Sequence, residues 1–400
     1  MIRPAPGSLE ALRQRNRDAV LGILRSEGSV SRAEVARLTG LSRSTVSTVV
    51  AELIRQEIVR ETASSAGVGS GSGRPGTPLT LNLPAGAVLA LDLSSHAIAG
   101  TVFDLGHRAL ARATWPFEAK HAPRSQIVDA VCDLSVQLLN LANVTPSAVV
   151  GAAMGVPAPV EQETRRVGLQ SGIPAIVGDG LEAEISERLG MPFMLENDAN
   201  LSVLAEWTAG AAEGHSDAIY IEVSEGIGAG LILSGRLHRG AHGTAGEIGH
   251  TPIIPDGPVC RCGNRGCLEL LAGTGAITDT VSEQLSTRMT IDQIVERARG
   301  GDPMCRRILR DAASHIGTVI GSMCNLINPT VVIVGGAFAT AWHLIEPALH
   351  EALDRSAIHV SIQDLAIVPG IHMDATGRLI GARTLVLGDL ERFPGLSAVS

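Results

Sequence analysis

Long apolar runs are missing from this chain. No stretch reaches the roughly eighteen uninterrupted apolar residues that a bilayer span requires. The opening residues, Met1–Gly7, lack the apolar core of a secretory signal. Membrane insertion is therefore not expected, and the expected location is cytoplasmic. Cysteine is sparse, with six in 400 residues. Cys132, Cys305 and Cys324 are scattered and read as plain buried residues. Cys260, Cys262 and Cys267 fall within eight residues, which suits a metal better than disulfides in a reducing compartment. Lysine is nearly absent: Lys120 stands alone among 32 basic residues, a usage that reflects a GC-rich genome more than a function.

What is present points to a folded protein. Hydrophobic residues make up 45% and charged residues 18%, so most of the chain is globular, and its length allows two or three domains. The net charge of −9 argues against a nucleic-acid partner only until its distribution is seen. Residues 1–84 hold 11 Arg against 7 acidic residues, a net +4, and the remainder carries 21 against 34, or −13. A basic N-terminal unit on an acidic body suggests that one part meets a polyanion and the other does not.

The basic unit reads as a helix-turn-helix. A helix from about Leu9 to Glu27 turns Val20, Ile23 and Leu24 to one face. Ser31-Arg32-Ala33-Glu34 has capping-box spacing and starts a short helix presenting Val35 and Leu38. Gly40 ends it by accepting a left-handed conformation. Ser42 is placed to cap a third helix with Val46, Val49, Val50 and Leu53 inward. Its outward side chains, Arg43, Ser44, Thr45, Ser47 and Thr48, are short hydrogen-bonding groups plus one Arg, suited to base edges and phosphates in a major groove. The plainer alternative is a small helical bundle with a solvated polar face. Two alternating stretches, Ile58–Thr62 and Leu79–Leu83, then predict a hairpin. The glycine-rich segment Ala66–Gly76 between them contains Gly73-Arg74-Pro75-Gly76, a wing that offers Arg74 to a narrow minor groove. Helix and wing in this order predict a winged helix-turn-helix over residues 1–84 that contacts double-stranded DNA through Ser42, Arg43, Ser44, Thr45, Ser47 and Arg74.

From residue 85 the pattern turns to strands. Ala87–Leu93, Ala97–Phe103 and Arg108–Phe117 read as strands joined by turns, followed by a helix from about Pro123 to Leu141. Ala218–Val223 and Gly228–Leu233 repeat the strand-turn-strand unit. Two such units predict an α/β body of two related lobes around a cleft, with ligand between them. In the second lobe, Cys260-x-Cys262-x4-Cys267, with His250 ten residues upstream, supplies four ligands for tetrahedral zinc. Buried free thiols or a redox pair are the alternatives on spacing alone. Gly263 and Gly266 let the loop fold back.

His242-Gly243-Thr244-Ala245-Gly246-Glu247-Ile248-Gly249-His250, followed by Cys260 to Glu269, resembles the signature of the ROK family of repressors, open reading frames and kinases. Glu196-Asn197-Asp198-Ala199-Asn200, Gly155–Pro159 and Val334-Gly335-Gly336 match further landmarks in the same order. The resemblance covers residues 9 to about 390 and implies an actin- and hexokinase-type fold. It places the first lobe at 85–197, completed by about 375–400, and the second, with its metal, at 198–374. Joined to a helix-turn-helix, it implies the repressor branch, which includes glucose-, xylose- and N-acetylglucosamine-linked regulators. The family also implies a structural zinc held by His250, Cys260, Cys262 and Cys267, and a monosaccharide or sugar phosphate contacted by Asn197, Asp198, Glu247, His250 and Glu269. His250 would serve zinc through one ring nitrogen and the sugar through the other. Two half-site operators imply a homodimer or homotetramer. Some family members answer instead to a protein partner such as a sugar-transporter subunit.

Kinase activity is not expected. The family's kinases hold ATP phosphates with Asp-x-Gly-Gly-Thr and Gly-Thr-Gly-x-Gly, where glycines expose backbone amides and threonines add donors. This chain has Asp92-Leu93-Ser94-Ser95-His96 and Ser224-Glu225-Gly226-Ile227-Gly228. A carboxylate at Glu225 about 4 Å from a phosphate would repel it by about 4 kcal/mol at an effective dielectric of 20. Asp198, the base in the kinases, would here accept a sugar hydroxyl without transferring anything to it.

Overall fold

The computed structural model describes residues 16–17, 19–24, 29–55, 59–62, 77–81, 86–169, 171–372 and 374–388. The chain forms two compact units: Met1–Ala87 with Phe103–Ala109, and Val88–Val102 with Leu110–Leu390.

In the first unit, helix α1 is described over 19–24 and buries Val20 and Leu24. It leads to β1 (Val30–Ser31), α2 (Arg32–Thr39), α3 (Arg43–Arg55), β2 (Val59–Glu61) and β3 (Pro78–Leu81). Ser31 caps α2, its Oγ accepting from Glu34 N at 3.3 Å, and Gly40 closes it at φ +68°. Ser42 Oγ accepts from Thr45 N at 3.1 Å and so caps α3. Val46, Val50 and Leu53 are fully buried against Val35, Val59 and Leu79, while Val49 is half-buried. Leu38 is a correction: it is 39% exposed, and Ala36 takes the inward place beside Val35. At about 100° per residue, Leu38 lies about 110° from the bisector of Val35 and Ala36, too far round for a two-turn helix to bury it. The hairpin forms with Val59 opposite Leu81 and Glu61 opposite Leu79. Sequence reading missed β1, which pairs Val30 with Leu79 and makes the sheet order β1-β3-β2. A two-residue strand has no periodicity to detect. The wing Ala66–Gly76, including Arg74, lies outside the described residues.

From Ala87 the chain continues with β4 (Ala87–Leu93), β5 (Ala97–Asp104), β6 (Ala109–Pro116) and α4 (Arg124–Ala142), close to the predicted spans and mostly within the second unit. Next come β7 (Val149–Val156), the small pair β8 (Val160–Glu161) and β9 (Arg166–Val167), α5 (Leu181–Leu189), β10 (Phe193–Asn197) and α6 (Asp198–Ala209). The second lobe has β11 (Ala218–Val223), β12 (Ile227–Leu233), β13 (Arg236–Leu237), α7 (Glu269–Ala272), α8 (Thr274–Leu285), α9 (Ile291–Arg299) and α10 (Pro303–Ile327). It ends with β14 (Val331–Gly335), α11 (Trp342–Ser356) and β15 (Ala366–Pro369), and the chain closes with α12 (Ala375–Gly388) from the segment expected to complete the first lobe.

The two sheets repeat one topology. Their strand orders are β10-β7-β4-β5-β6 and β15-β14-β11-β12-β13. In each, the first strand lies in the middle, the next two extend to one side and the later two to the other. β4 and β11 are buried along their whole length, as expected of central strands covered on both faces. α6 packs on β11 and β12, and α12 packs on α6 and β7, so this helix pair is held between the sheets. Strand ends and the N-terminus of α6 therefore converge where the lobes meet.

Candidate functional site

The metal loop is built by backbone bonds that turn Cys260–Cys267 back on itself. Cys260 N donates to Asn264 O at 2.7 Å and Gly263 N to Cys260 O at 2.9 Å. Gly266 adopts φ +60°, and a Cβ there would lie 1.8 Å from Ile254 O, so no other residue fits. The loop gathers His250, Cys260, Cys262 and Cys267 with their ligand atoms all within 4.8 Å of one another. Cys260 Sγ is 3.5 Å from His250 Nδ1, and Cys262 Sγ is 3.7 Å from Cys267 Sγ. The latter is far beyond a disulfide bond of about 2.05 Å. Tetrahedral zinc with Zn–S of about 2.3 Å and Zn–N of about 2.0–2.1 Å separates its ligand atoms by about 3.5–3.8 Å, so the donor set and spacing fit that ion. Crowding points the same way, since burial and the neighbouring sulfurs push the Cys267 thiol up to about 12. A dication would relieve that repulsion.

The opposite ring nitrogen of His250 faces outward from the metal loop. His250 Nε2 lies 3.9 Å from Glu247 Oε2, the division expected of a residue that serves both groups. Burial, then the charge of Glu269, lifts the Glu247 carboxyl to about 7. Glu269 heads α7 and accepts from Ile227 N at 3.3 Å. Arg261, between two of the cysteines, grips Glu269 at 3.1 and 3.2 Å. The metal loop thus holds one expected sugar ligand, Glu269, through Arg261, and brings His250 to 3.9 Å from another, Glu247.

The remaining expected ligands stand across β12. Its residues form a shared wall: Ile227 N bonds Glu269, a Cβ on Gly228 would touch the Ala199 side chain at 3.7 Å, and Ala229 N donates to Gly246 O at 2.8 Å. Asn197, not Asp198, is the N-cap of α6, its Oδ1 accepting from Asn200 N at 3.1 Å. Its Nδ2 donates to Ala158 O at 3.2 Å, which anchors the Gly155–Pro159 loop. Asp198 occupies the first helical position, with Oδ1 accepting from Ala199 N at 2.8 Å. Burial, reinforced by Glu222 and Asp92 and opposed by Arg378, lifts its carboxyl to about 7.

Sequence reading missed three residues that organise this region. Glu196, fully buried, receives Arg239 Nε at 2.7 Å and Asn200 Nδ2 at 2.9 Å. Arg239 begins the turn carrying Glu247, so this pair ties that turn to the strand carrying Asn197. Arg378 forms a two-pronged bond to Asp92 at 2.7 and 3.0 Å. Its signal was weak: it is one of two Arg, with Arg383, on a largely apolar last helix.

The turns corresponding to the kinase phosphate loops are joined to each other. Ser95 Oγ donates to Glu225 Oε2 at 3.2 Å, and His96 Nε2 meets Glu225 Oε1 at 3.0 Å. His96 Nδ1 meets Glu118 at 3.0 Å. Glu118 first, then Glu225, raises the His96 pKa. Glu225 is therefore not the isolated anion assumed from sequence: His96 partly neutralises it, but also takes up its oxygens.

On α3, Arg43, Ser44, Ser47 and Thr48 are exposed and Thr45 is half-buried. Ser42 Oγ also meets Ser44 Oγ and Thr45 Oγ1, both at 2.8 Å, so it organises the helix start. Arg32 pairs with Glu61 at 2.5 Å and links α2 to β2. Among the described residues, no helix is long and apolar enough to cross a membrane.

Residues 88–389 match the model of the ROK family, and residues 18–67 that of the MarR family. The xylose repressor of Caldicellulosiruptor bescii is 27% identical over 97% of this chain and 99% of its own length. A solved ROK family transcriptional regulator, a homolog of the E. coli MLC protein, is 25% identical with a TM-score of 0.79, covering 96% of this chain and 98% of its own. The ROK hexokinase from Thermus thermophilus is 30% identical with a TM-score of 0.62, covering 76% of this chain and 99% of its own.

Proposed function

The chain belongs to the ROK family, and from that premise we propose that it is a sugar-responsive, DNA-binding transcriptional repressor whose kinase-like body binds its ligand without phosphorylating it. One observation carries the reading. The two turns that hold phosphates in the kinases are bonded to each other through Ser95, His96 and Glu225, while Asp198 and Glu247 keep lifted carboxyls that await hydroxyl partners. Asp198, Glu247, His250 and Glu269 receive a monosaccharide or sugar phosphate, and Asn197 holds the Gly155–Pro159 loop beside it. Zinc on His250, Cys260, Cys262 and Cys267 is structural, because four protein ligands leave no position for water. It fixes the loop from which His250 and Arg261 reach Glu247 and Glu269. Residues 1–84 read DNA through α3, with Arg43, Ser44 and Ser47 toward the groove, Ser42 and Thr45 at the helix start, and Arg74 on the wing. The protein acts in the cytoplasm as a homodimer or homotetramer on paired half-sites. Sugar changes DNA affinity by binding two conformations unequally.

The test is a thermal-shift panel on zinc-loaded protein with glucose, xylose, N-acetylglucosamine and their available 6-phosphates, run beside DNA binding to a selected operator. Bound sugar at a hundredfold excess over Kd adds about 2.7 kcal/mol to apparent stability. The expected result is one selective shift, lost in Glu247→Ala, from a sugar that also changes operator binding. Arg43→Ala should weaken operator binding by about 1–3 kcal/mol and leave the sugar shift intact. A flat panel in protein that still binds DNA would redirect the search to a protein partner. Sugar-dependent ATP turnover abolished by Asp198→Asn would overturn the non-catalytic part.

A further inference from the structure

Arg378 lies in the first turn of α12, and its side chain is 15% exposed. Asp92, 4% exposed at its side chain, takes Nε and Nη2 in a two-pronged bond that fixes the plane of the guanidinium. The third nitrogen, Nη1, lies 3.9 Å from Glu222 Oε1. Glu222 is itself held by Tyr220 Oη at 2.9 Å and Ser224 Oγ at 2.5 Å. Asp198 completes the group across Gly155, where a Cβ would lie 3.1 Å from Asp92 Oδ1 and 4.0 Å from Asp198 Cα. The charges facing Asp198 are thus Asp92 from β4, Glu222 from β11 and Arg378 from α12. On its own segment it meets only the Ala199 amide and the Asn197 side-chain amide, at 2.8 and 3.2 Å. Glu196 is turned away, onto Arg239 and Asn200.

We propose that Arg378 is a positioning residue for the sugar site, a cation fixed by Asp92 that keeps the Asp198 carboxylate charged and available as a hydroxyl acceptor. The inference rests on the sugar-binding reading above. Two buried carboxylates, Asp92 and Glu222, and the half-buried Asp198 answer to this one guanidinium. Without it their mutual repulsion and burial favour a proton on Asp198, and a protonated carboxyl gives up part of its capacity to accept. Asp92 acts in two ways: its fork orients Arg378, and its charge competes with Asp198 for the same cation. The Asp198 carboxyl, lifted to about 7 with Arg378 opposing the rise, sits where a change in this balance alters its state at neutral pH.

The test titrates Asp198 by carbon-13 NMR in full-length, zinc-loaded protein with labelled Asp carboxyls, the signal assigned with Asp198→Asn. Arg378→Met should raise the midpoint by about one pH unit or more. Arg378→Lys, which keeps the charge and loses the fork, should recover at least half of that rise. A residue that merely supports packing would not let a second cation, Lys, recover the midpoint. An unchanged midpoint in an Arg378→Met protein with normal zinc content and circular dichroism overturns the proposal. So does an unchanged midpoint in Arg378→Gln, which decides the matter even if Arg378→Met does not fold. Affinity for whichever of glucose, xylose or N-acetylglucosamine the parent binds should fall at least about fivefold at pH 7 in Arg378→Met, with recovery in Arg378→Lys. A panel flat on the parent sinks the sugar reading, and the NMR midpoint alone then judges the charge coupling.

Discussion

The two ends of the interlobe cleft handle charge differently. At the metal and sugar end, three sulfurs and an imidazole nitrogen crowd together, and burial with Glu269 nearby lifts Glu247 to about 7. Arg261 pairs with Glu269 there, yet the raised Glu247 and the crowded sulfurs remain short of positive charge. At the phosphate end the chain supplies its own partners: Arg378 on Asp92, His96 on Glu118 and Glu225, Ser95 on Glu225, Tyr220 and Ser224 on Glu222. Buried polar groups cost free energy unless they are matched. A cleft that leaves one end unmatched and pairs the other indicates which end takes a ligand. Asp198 stands at the border, burdened by Asp92 and Glu222 and relieved by Arg378.

Breaking the unmatched end should have the largest consequence. Cys262→Ser removes one of four ligands, and zinc content measured by mass spectrometry should fall from one per chain to near zero. If zinc is held at a hundredfold excess over Kd, about 2.7 kcal/mol is lost, or roughly 5–10 °C in Tm. The sugar response should vanish with it, because His250 and Arg261 no longer fix Glu247 and Glu269. A metal-free variant with normal sugar response would separate the two functions that the loop joins. Next in size, Glu247→Ala should keep zinc and fold yet weaken sugar by about 1.5–3 kcal/mol, the range for a hydrogen bond to a charged group. Calorimetric titration checks it, and an unchanged affinity would move the ligand away from this end.

Legibility in sequence followed the range of the interaction. β4, β11 and the cysteine loop were readable because their information is local: a run such as Ala87–Leu93 is apolar but for Asp92, and the ligands repeat at short spacing. Asn197 and Asp198 were singled out together, but which of them caps α6 depends on one backbone turn and was settled only by φ and ψ. Leu38 was misplaced because an eight-residue helix offers too few turns to define a face. Arg378 escaped entirely, since its partner Asp92 is 286 residues away. Arg239 and Glu196, 43 residues apart, escaped for the same reason. Periodicity reports which face of an element is buried, and not which other element covers it.

The pH dependence sharpens the comparison in two adjacent windows. The Asp198 carboxyl in the folded state is raised from its ordinary value to about 7. Sugar that needs the carboxylate should therefore bind more tightly as pH rises through 7, with affinity at pH 6 about tenfold below its plateau. Asp198→Asn should make that profile shallower, the remainder belonging to Glu247, also raised to about 7, and a parent profile flat between pH 6 and 8 would mean that sugar contacts neither carboxylate. Stability has the opposite sign. A raised carboxyl costs the folded state as pH climbs from the unfolded value, so this loss is complete just above pH 7.

His96, raised above its usual 6.5 by Glu118 and Glu225, stabilises fully below the unfolded value and loses that contribution as pH rises through the folded one. Because its partners are exposed, at 70% and 59%, solvent screening holds the effect to about 1 kcal/mol or less. His96→Gln should lower Tm by no more than about 3 °C at pH 6 and have almost no effect at pH 8.5. It should also loosen the clasp between the two turns, yet give no thermal shift from magnesium ATP, because the Glu225 carboxylate and the missing glycines still oppose phosphate. A shift from ATP in His96→Gln would reverse that and make the clasp, rather than the Glu225 carboxylate and the altered turns, the element that excludes phosphate.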